Sequence, residues 1–253
     1  SSQYIRSFLG VLKIILIFIA VIIVISILFK KNPISLFAGL GATSAILMLV
    51  FKDTIEGLVA GIRLTSNNMV HLGDWITVPG TPVDGNVVDI SLTTVKVQQF
   101  DKTYTTISPL TLVNGTFKNW KGIQESGMRQ VVKKIYFDVR SIRLLTDETR
   151  QNLTNKKMVS QKDMEGEVVN IGLFRHYIET YLRKREDVNK SATPLVHQLE
   201  ATQNGLPIEL IFFLNTTNSI EFENKISDIL EHIYAYVNEF GLQMYEGLSV
   251  ANK

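Results

Sequence analysis

The sequence predicts a membrane α+β chain: transmembrane helices first, then a soluble body made of a small β-barrel and a second α+β domain. Three observations predict it. Residues 9–64 are strongly apolar, whereas residues 115–253 carry most of the charge. Residues 70–120 hold short Val-, Thr- and Ile-rich runs separated by turn signals. Beyond Gly127, strand alternation and helical spacing follow one another. With 253 residues and a net charge of +2, the chain has room for a membrane segment and two domains. Its charge gives no footprint for nucleic acid. The absence of cysteine excludes disulfides and thiolate metal sites.

Residues 14–29 read IILIFIAVIIVISILF, uncharged and apolar on every face. With the apolar residues before Lys13, roughly 20 residues at about 1.5 Å each span a hydrocarbon core. Lys30, Lys31, Asn32 and Pro33 follow, instead of a cleavage site for a signal peptide. The first helix is therefore expected at about 8–30.

Pro33 opens a second apolar stretch, expected as a helix over 33–52. Its first half is small (Ala38, Gly39, Gly41, Ala42, Thr43, Ser44, Ala45), which suits close helix packing rather than contact with lipid. Gly41, Ala45, Leu49, Lys52 and Glu56 share one stripe at helical spacing. Around an axis of identical helices, that stripe lines a tapering passage narrowed by Leu49. A ring of apolar side chains there blocks ions by dewetting. A packing seam between two helices, with no pore, fits the same residues. Residues 39–44 resemble a dinucleotide-binding turn but lack the preceding strand it requires. Helical spacing persists past Lys52 and Asp53, so residues 53–65 form an amphipathic continuation expected near the membrane surface and bent away from the span. The hairpin puts residues 1–7 and the soluble body on one side, and the basic residues around it are too evenly placed to orient it.

Strands are expected at 75–78, 87–91, 94–100 and 104–108, a small closed barrel within a domain of residues 66–121. Over 122–253 the expected order is a strand at 131–139, a helix capped by Ser141 and running to about 151, and a helix at 173–184. Strands at 194–199 and 207–214, a helix over 220–240 and a last strand at 242–245 complete a ferredoxin-like arrangement with an inserted helix. His71, His176, His197 and His232 are scattered, without metal-ligand spacing or a nucleophile motif. No enzyme, cofactor or metal site is expected.

Several segments together resemble the small-conductance mechanosensitive channel family (MscS-like). They are the Gly/Ala-rich helix followed by Lys52-Asp53-Thr54-Ile55-Glu56-Gly57-Leu58-Val59-Ala60-Gly61, then Leu72-Gly73-Asp74-Trp75-Ile76, Gly85-Asn86-Val87-Val88-Asp89-Ile90 and Phe117-Lys118-Asn119-Trp120. Leu49-Val50-Phe51-Lys52-Asp53, Asn170-Ile171-Gly172 and Glu239-Phe240-Gly241-Leu242 look closest to its miniconductance, YbdG-type branch. The resemblance implies an Sm-like barrel and a homoheptamer in a bacterial inner membrane, with the C-terminal domain in the cytoplasm. It also implies membrane lipids, ions and small solutes as partners, and opening by tension during hypo-osmotic shock. The family's two sealing leucine positions fall on Ala45 and Leu49, so the constriction is expected at Leu49 and Met48. The family's kink glycine falls on Asp53, and Asp53 and Gly57 are the expected bend. The usual Pro-Asn of the β-domain loop is Ser108-Pro109 here. Family members carry at least one further helix upstream, so the chain reads as part of a longer subunit. The competing reading is a membrane-tethered scaffold whose soluble domains bind a protein or RNA partner.

Overall fold

A computed structural model describes residues 2–246, with side chains from residue 8 onward. Residues 1 and 247–253, the outer ends of the first and last expected domains, lie outside the described residues. The chain divides into two compact units between Asn119 and Trp120.

In the first unit, α1 (Ser2–Leu28) stops where Lys30 turns to φ +49°. The Lys31 N–H then donates to the Ser26 carbonyl (3.0 Å) and the Lys30 N–H to that of Ile27 (3.4 Å), the paired bonds that satisfy a helix's last carbonyls. The helix expected to about residue 30 ends at Leu28 because the two lysines form this turn. Asn32 caps α2 (Pro33–Ser66), its side chain accepting from the Ile34 N–H at 2.9 Å, with Pro33 in the first helical position. The Phe18 and Phe37 rings bring α1 and α2 together, their centroids 6.5 Å apart.

A five-stranded antiparallel sheet follows: β1 (Trp75–Thr77), β2 (Asp84–Ile90), β3 (Val95–Gln99), β4 (Tyr104–Ile107) and β5 (Lys118–Asn119). Its order is β4-β3-β2-β1-β5. Strand pairing does not complete the ring expected of a closed barrel. Among the described residues, β4 and β5 are its two edges, and the chain between them forms the short helix α3 (Pro109–Asn114). Leu112 of α3 and Leu64 of α2 are fully buried with Ile76, Val87, Val95 and Val97 in the core of this unit. Part of the enclosure expected of strands is therefore supplied by helices.

The second unit runs α4 (Lys121–Ser126), β6 (Arg129–Phe137), α5 (Asp147–Asn155), α6 (Asn170–Lys184), β7 (Leu195–Gln198), β8 (Leu206–Leu214) and α7 (Ser219–Tyr236). Its antiparallel sheet has the order β6-β8-β7. One sheet face packs under the helices. Val131, Ile135 and Phe137 of β6 meet Phe222, Ile226, Ile229 and Ile233 of α7 in a single core, the spacing on α7 putting all four on one face. Two expectations are corrected here. Ser141 does not cap a helix: it is buried at the end of a 3-10 turn (Val139–Ser141), donating to the Asp138 carbonyl and accepting from the Gln243 N–H. Thr146 caps α5 instead, with Asp147 and Glu148 in the first turn, where carboxylates favour the helix dipole. The last expected strand, 242–245, is reduced to a bridge between Phe137 and Met244 and to two backbone bonds beside β6.

Candidate functional site: an exposed helical stripe and the β-domain that holds it

α2 is helical without interruption on both sides of Asp53 and Gly57. At 3.6 residues per turn, Gly41, Ala45, Met48, Leu49 and Lys52 fall within a sector of about 100°. In the single protomer Leu49 is 76% exposed and Met48 68%. Gly41 has open space where a side chain would stand. Both α1 over Phe8–Leu28 and α2 are long and apolar enough to cross a membrane, and the apolar window of α2 is not covered by the rest of its own chain. The Lys52 ammonium lies 3.9 Å from the Glu56 carboxylate, an exposed pair one helical turn apart that contributes little.

The C-terminal half of α2 has a different face to hide. Gly57, Ala60, Gly61 and Leu64 are buried and lie about 110° around the helix from the stripe. A methyl group at Gly57 would lie 3.8 Å from the Leu92 carbonyl, and one at Gly61 3.5 Å from it. At both positions α2 lies against the loop between β2 and β3 at a distance where a methyl group would make ordinary contact. The amphipathic continuation therefore packs its small residues and Leu64 on the β-domain, while Ile55, Leu58, Val59 and Ile62 stay exposed. Its alternation of apolar and polar residues is the same for a membrane surface and for a protein surface, so the sequence pattern alone does not name what covers it.

The β-domain that receives α2 is fixed by side chains of the sequence motifs. Asp74 is buried, and its Oδ2 accepts from the His71 N–H (2.9 Å) and from Asn119 Nδ2 (2.8 Å). Asn119 also donates to the Met69 carbonyl at 3.0 Å, tying β5 to the segment that leaves α2. Asp84 Oδ1 accepts from Trp75 Nε1 (2.7 Å) and Thr77 Oγ1 (2.8 Å). Asp74, Trp75 and Asn119 belong to the motif segments, but a bond between Asp74 and Asn119, 45 positions apart, is encoded in no local pattern.

Each histidine has a structural partner. His71 Nε2 contacts Asn68 (3.2 Å), His176 lies 3.7 Å from Asp163, His197 lies 2.9 Å from Glu209, and His232 shares a 2.8 Å hydrogen bond with the Tyr177 hydroxyl. Among the described residues no three His, Cys, Asp or Glu side chains gather to hold a metal. Burial, followed by the charge of Arg185, holds His232 below its ordinary value, and burial pushes the Tyr177 phenol up to about 12. Arg185 clamps Asp187 at 2.9 and 2.7 Å and keeps that carboxyl below the usual range.

Residues 53–122 match the family model of the mechanosensitive ion channel β-domain. A relative from Aquifex aeolicus, described as an uncharacterized MscS family protein, is 27% identical over 206 residues, 74% of this chain and 55% of its own. The chain thus spans about half the length of the curated relative it matches. Two solved structures share its fold. MSL1 of Arabidopsis thaliana superposes with a TM-score of 0.60 at 14% identity, over 85% of this chain and 66% of its own. Closed-state MscS of Helicobacter pylori does so with a TM-score of 0.59 at 16% identity, over 96% and 83%. These matches give residues 53–122 as a β-domain of the mechanosensitive-channel type, preceded by two long apolar helices. The chain is similar to proteins of the MscS family, which are ion channels rather than enzymes.

Proposed function

We propose that this chain is one subunit of a mechanosensitive channel, opened by membrane tension to release ions and small solutes during hypo-osmotic shock. One observation carries the reading. The small-residue half of α2 is exposed in the protomer, while its other half is docked on a β-domain of the mechanosensitive-channel type. Identical subunits packed through Gly41 and Ala45 would cover that half and turn Met48 and Leu49 toward a common axis. The apolar ring so formed is the gate, held shut by dewetting. Lys52 follows at the charged mouth, and Asp53 and Gly57 are where the continuous helix α2 would bend in the assembled channel.

Family likeness supports a homoheptamer in a bacterial inner membrane, with membrane lipids around it and the second unit in the cytoplasm. It supports the YbdG-type branch through the motifs at 49–53, 170–172 and 239–242. The Sm-like reading of the first soluble domain rests on its short antiparallel strands. The ferredoxin-like reading of the second rests on strand order: with the Phe137–Met244 bridge, the strands lie fourth, first, third, second.

Replacing Leu49 with serine tests the gate. A hydroxyl at the constriction hydrates the closed pore, so liposomes carrying Leu49→Ser should lose a trapped dye without applied tension, whereas wild-type liposomes hold it. Equal retention by the two proteins removes Leu49 from the gate.

A further inference from the structure

The second unit contains a cleft that the channel reading does not use. It has a volume of about 470 Å³ and lies between α6 and the segment that follows α5. His176, Thr180 and Lys184 face it from α6 at steps of four residues, one stripe of a helix. Lys157 and Gln161 face it from the opposite wall, and Met158, Val159 and the Tyr177 ring give it an apolar side.

Charge is distributed unevenly along this cleft. Its one carboxylate, Asp163, accepts from the Ser160 hydroxyl at 2.9 Å and sits 3.7 Å from His176, so it is engaged at the histidine end. Lys157 and Lys184 have no ion pair or side-chain hydrogen bond among the described residues, and they stand on opposite walls. Two lysines lining one cleft from different segments, beside an apolar and aromatic surface, complement a doubly charged head on an organic body. A phosphate monoester carries about −1.5 to −2 at neutral pH, whereas a single carboxylate would engage one lysine and leave the other. The volume falls within the usual range for small-ligand sites.

We propose that this cleft binds a small organic phosphate monoester, its phosphoryl group between Lys157 and Lys184 and within reach of the Thr180 hydroxyl, its body against Tyr177 and Met158. The site belongs to the soluble unit and is independent of whether α2 lines a pore.

Adenosine monophosphate and inorganic phosphate are the probes, titrated calorimetrically into the detergent-solubilised full chain at low and at physiological salt. Adenosine monophosphate should bind saturably at millimolar concentration or below, more tightly than inorganic phosphate, and more weakly as salt rises. The double variant Lys157→Gln/Lys184→Gln should bind at least about tenfold more weakly, each charge-assisted bond being worth about that factor. Lys162→Gln, an exposed lysine outside the cleft, should bind as wild type does. No saturable heat with either probe overturns the site. Unchanged affinity in the double variant overturns it equally, and affinity no greater for adenosine monophosphate than for inorganic phosphate overturns the role of the apolar wall. Because both lysines are exposed, the double variant should keep the wild-type unfolding midpoint, which separates lost binding from lost fold.

Discussion

Gly85 and Gly61 are both glycines at close approaches, and the atoms facing them predict opposite tolerances. A methyl group on Gly85 would stand 2.1 Å from the Gln98 carbonyl oxygen and 2.8 Å from its carbon, backbone atoms of the paired strand β3. The strands would have to part. Gly85→Ala should therefore destabilise the β-domain by about 1–3 kcal/mol, the usual cost of overpacking. At Gly61 the nearest atom is 3.5 Å away, an ordinary contact, and alanine is about 1 kcal/mol better than glycine inside a helix. Gly61→Ala should leave the unfolding midpoint unchanged or raised. Thermal unfolding of the two variants beside wild type checks both. The sequence displayed Gly85 and Gly61 as motif letters. Which of them is irreplaceable depends on a neighbour in another segment, and no local pattern encodes that.

At the scale of elements, α6 and α7 meet through an aromatic cluster in which His232 stacks on Tyr181 with ring centroids 3.8 Å apart and bonds Tyr177. The arrangement favours the neutral imidazole, since burial and Arg185 both oppose its charging. The sign follows directly. A folded-state value below the ordinary one of about 6.5 means that this contribution is present above that pH and is lost as pH falls below it. Hydrogen exchange of the α7 amides in the full chain should quicken between about pH 7 and pH 5.5, after correction for intrinsic rates. In His232→Gln, which keeps a hydrogen-bonding side chain but does not titrate in this range, the change should be smaller. An identical pH profile in the two proteins assigns the effect to other groups. α7 itself was legible, because Phe222, Ile226, Ile229 and Ile233 repeat at helical spacing and all four are buried. The start of α5 was not, because Ser141 and Thr146 offer the same capping chemistry. Only the tertiary bonds of Ser141 to Asp138 and Gln243 decide between them. Apolar residues at 242 and 244 suit a regular fourth strand and a single bridge equally, and the chain makes the bridge.

For the whole molecule, the sequence pattern separated an apolar N-terminal region from a charged α+β body, and the fold agrees. Residues 14–28, apolar on every face, lie within α1, and Pro33 opens α2 as its fixed backbone angle favours. Less legible was the coupling between the two kinds of structure. Leu64 ends an apolar helix and is fully buried in the β-domain core, so α2 is at once a candidate pore lining and part of a soluble domain. Under the proposed channel function, that continuity would give tension a mechanical route, a helix shifted in the membrane pulling on the domain that buries Leu64. A wider open pore gains free energy as the bilayer is stretched, and the population shifts once that gain exceeds the closed-state preference. The measurement that tests this most directly is a patch-clamp recording of the reconstituted protein under a suction ramp. Tension gating predicts discrete conductance steps that begin at a reproducible pressure below the lytic limit and cease when suction is released. An electrically silent membrane up to lysis, from protein shown to be folded and inserted, would contradict it.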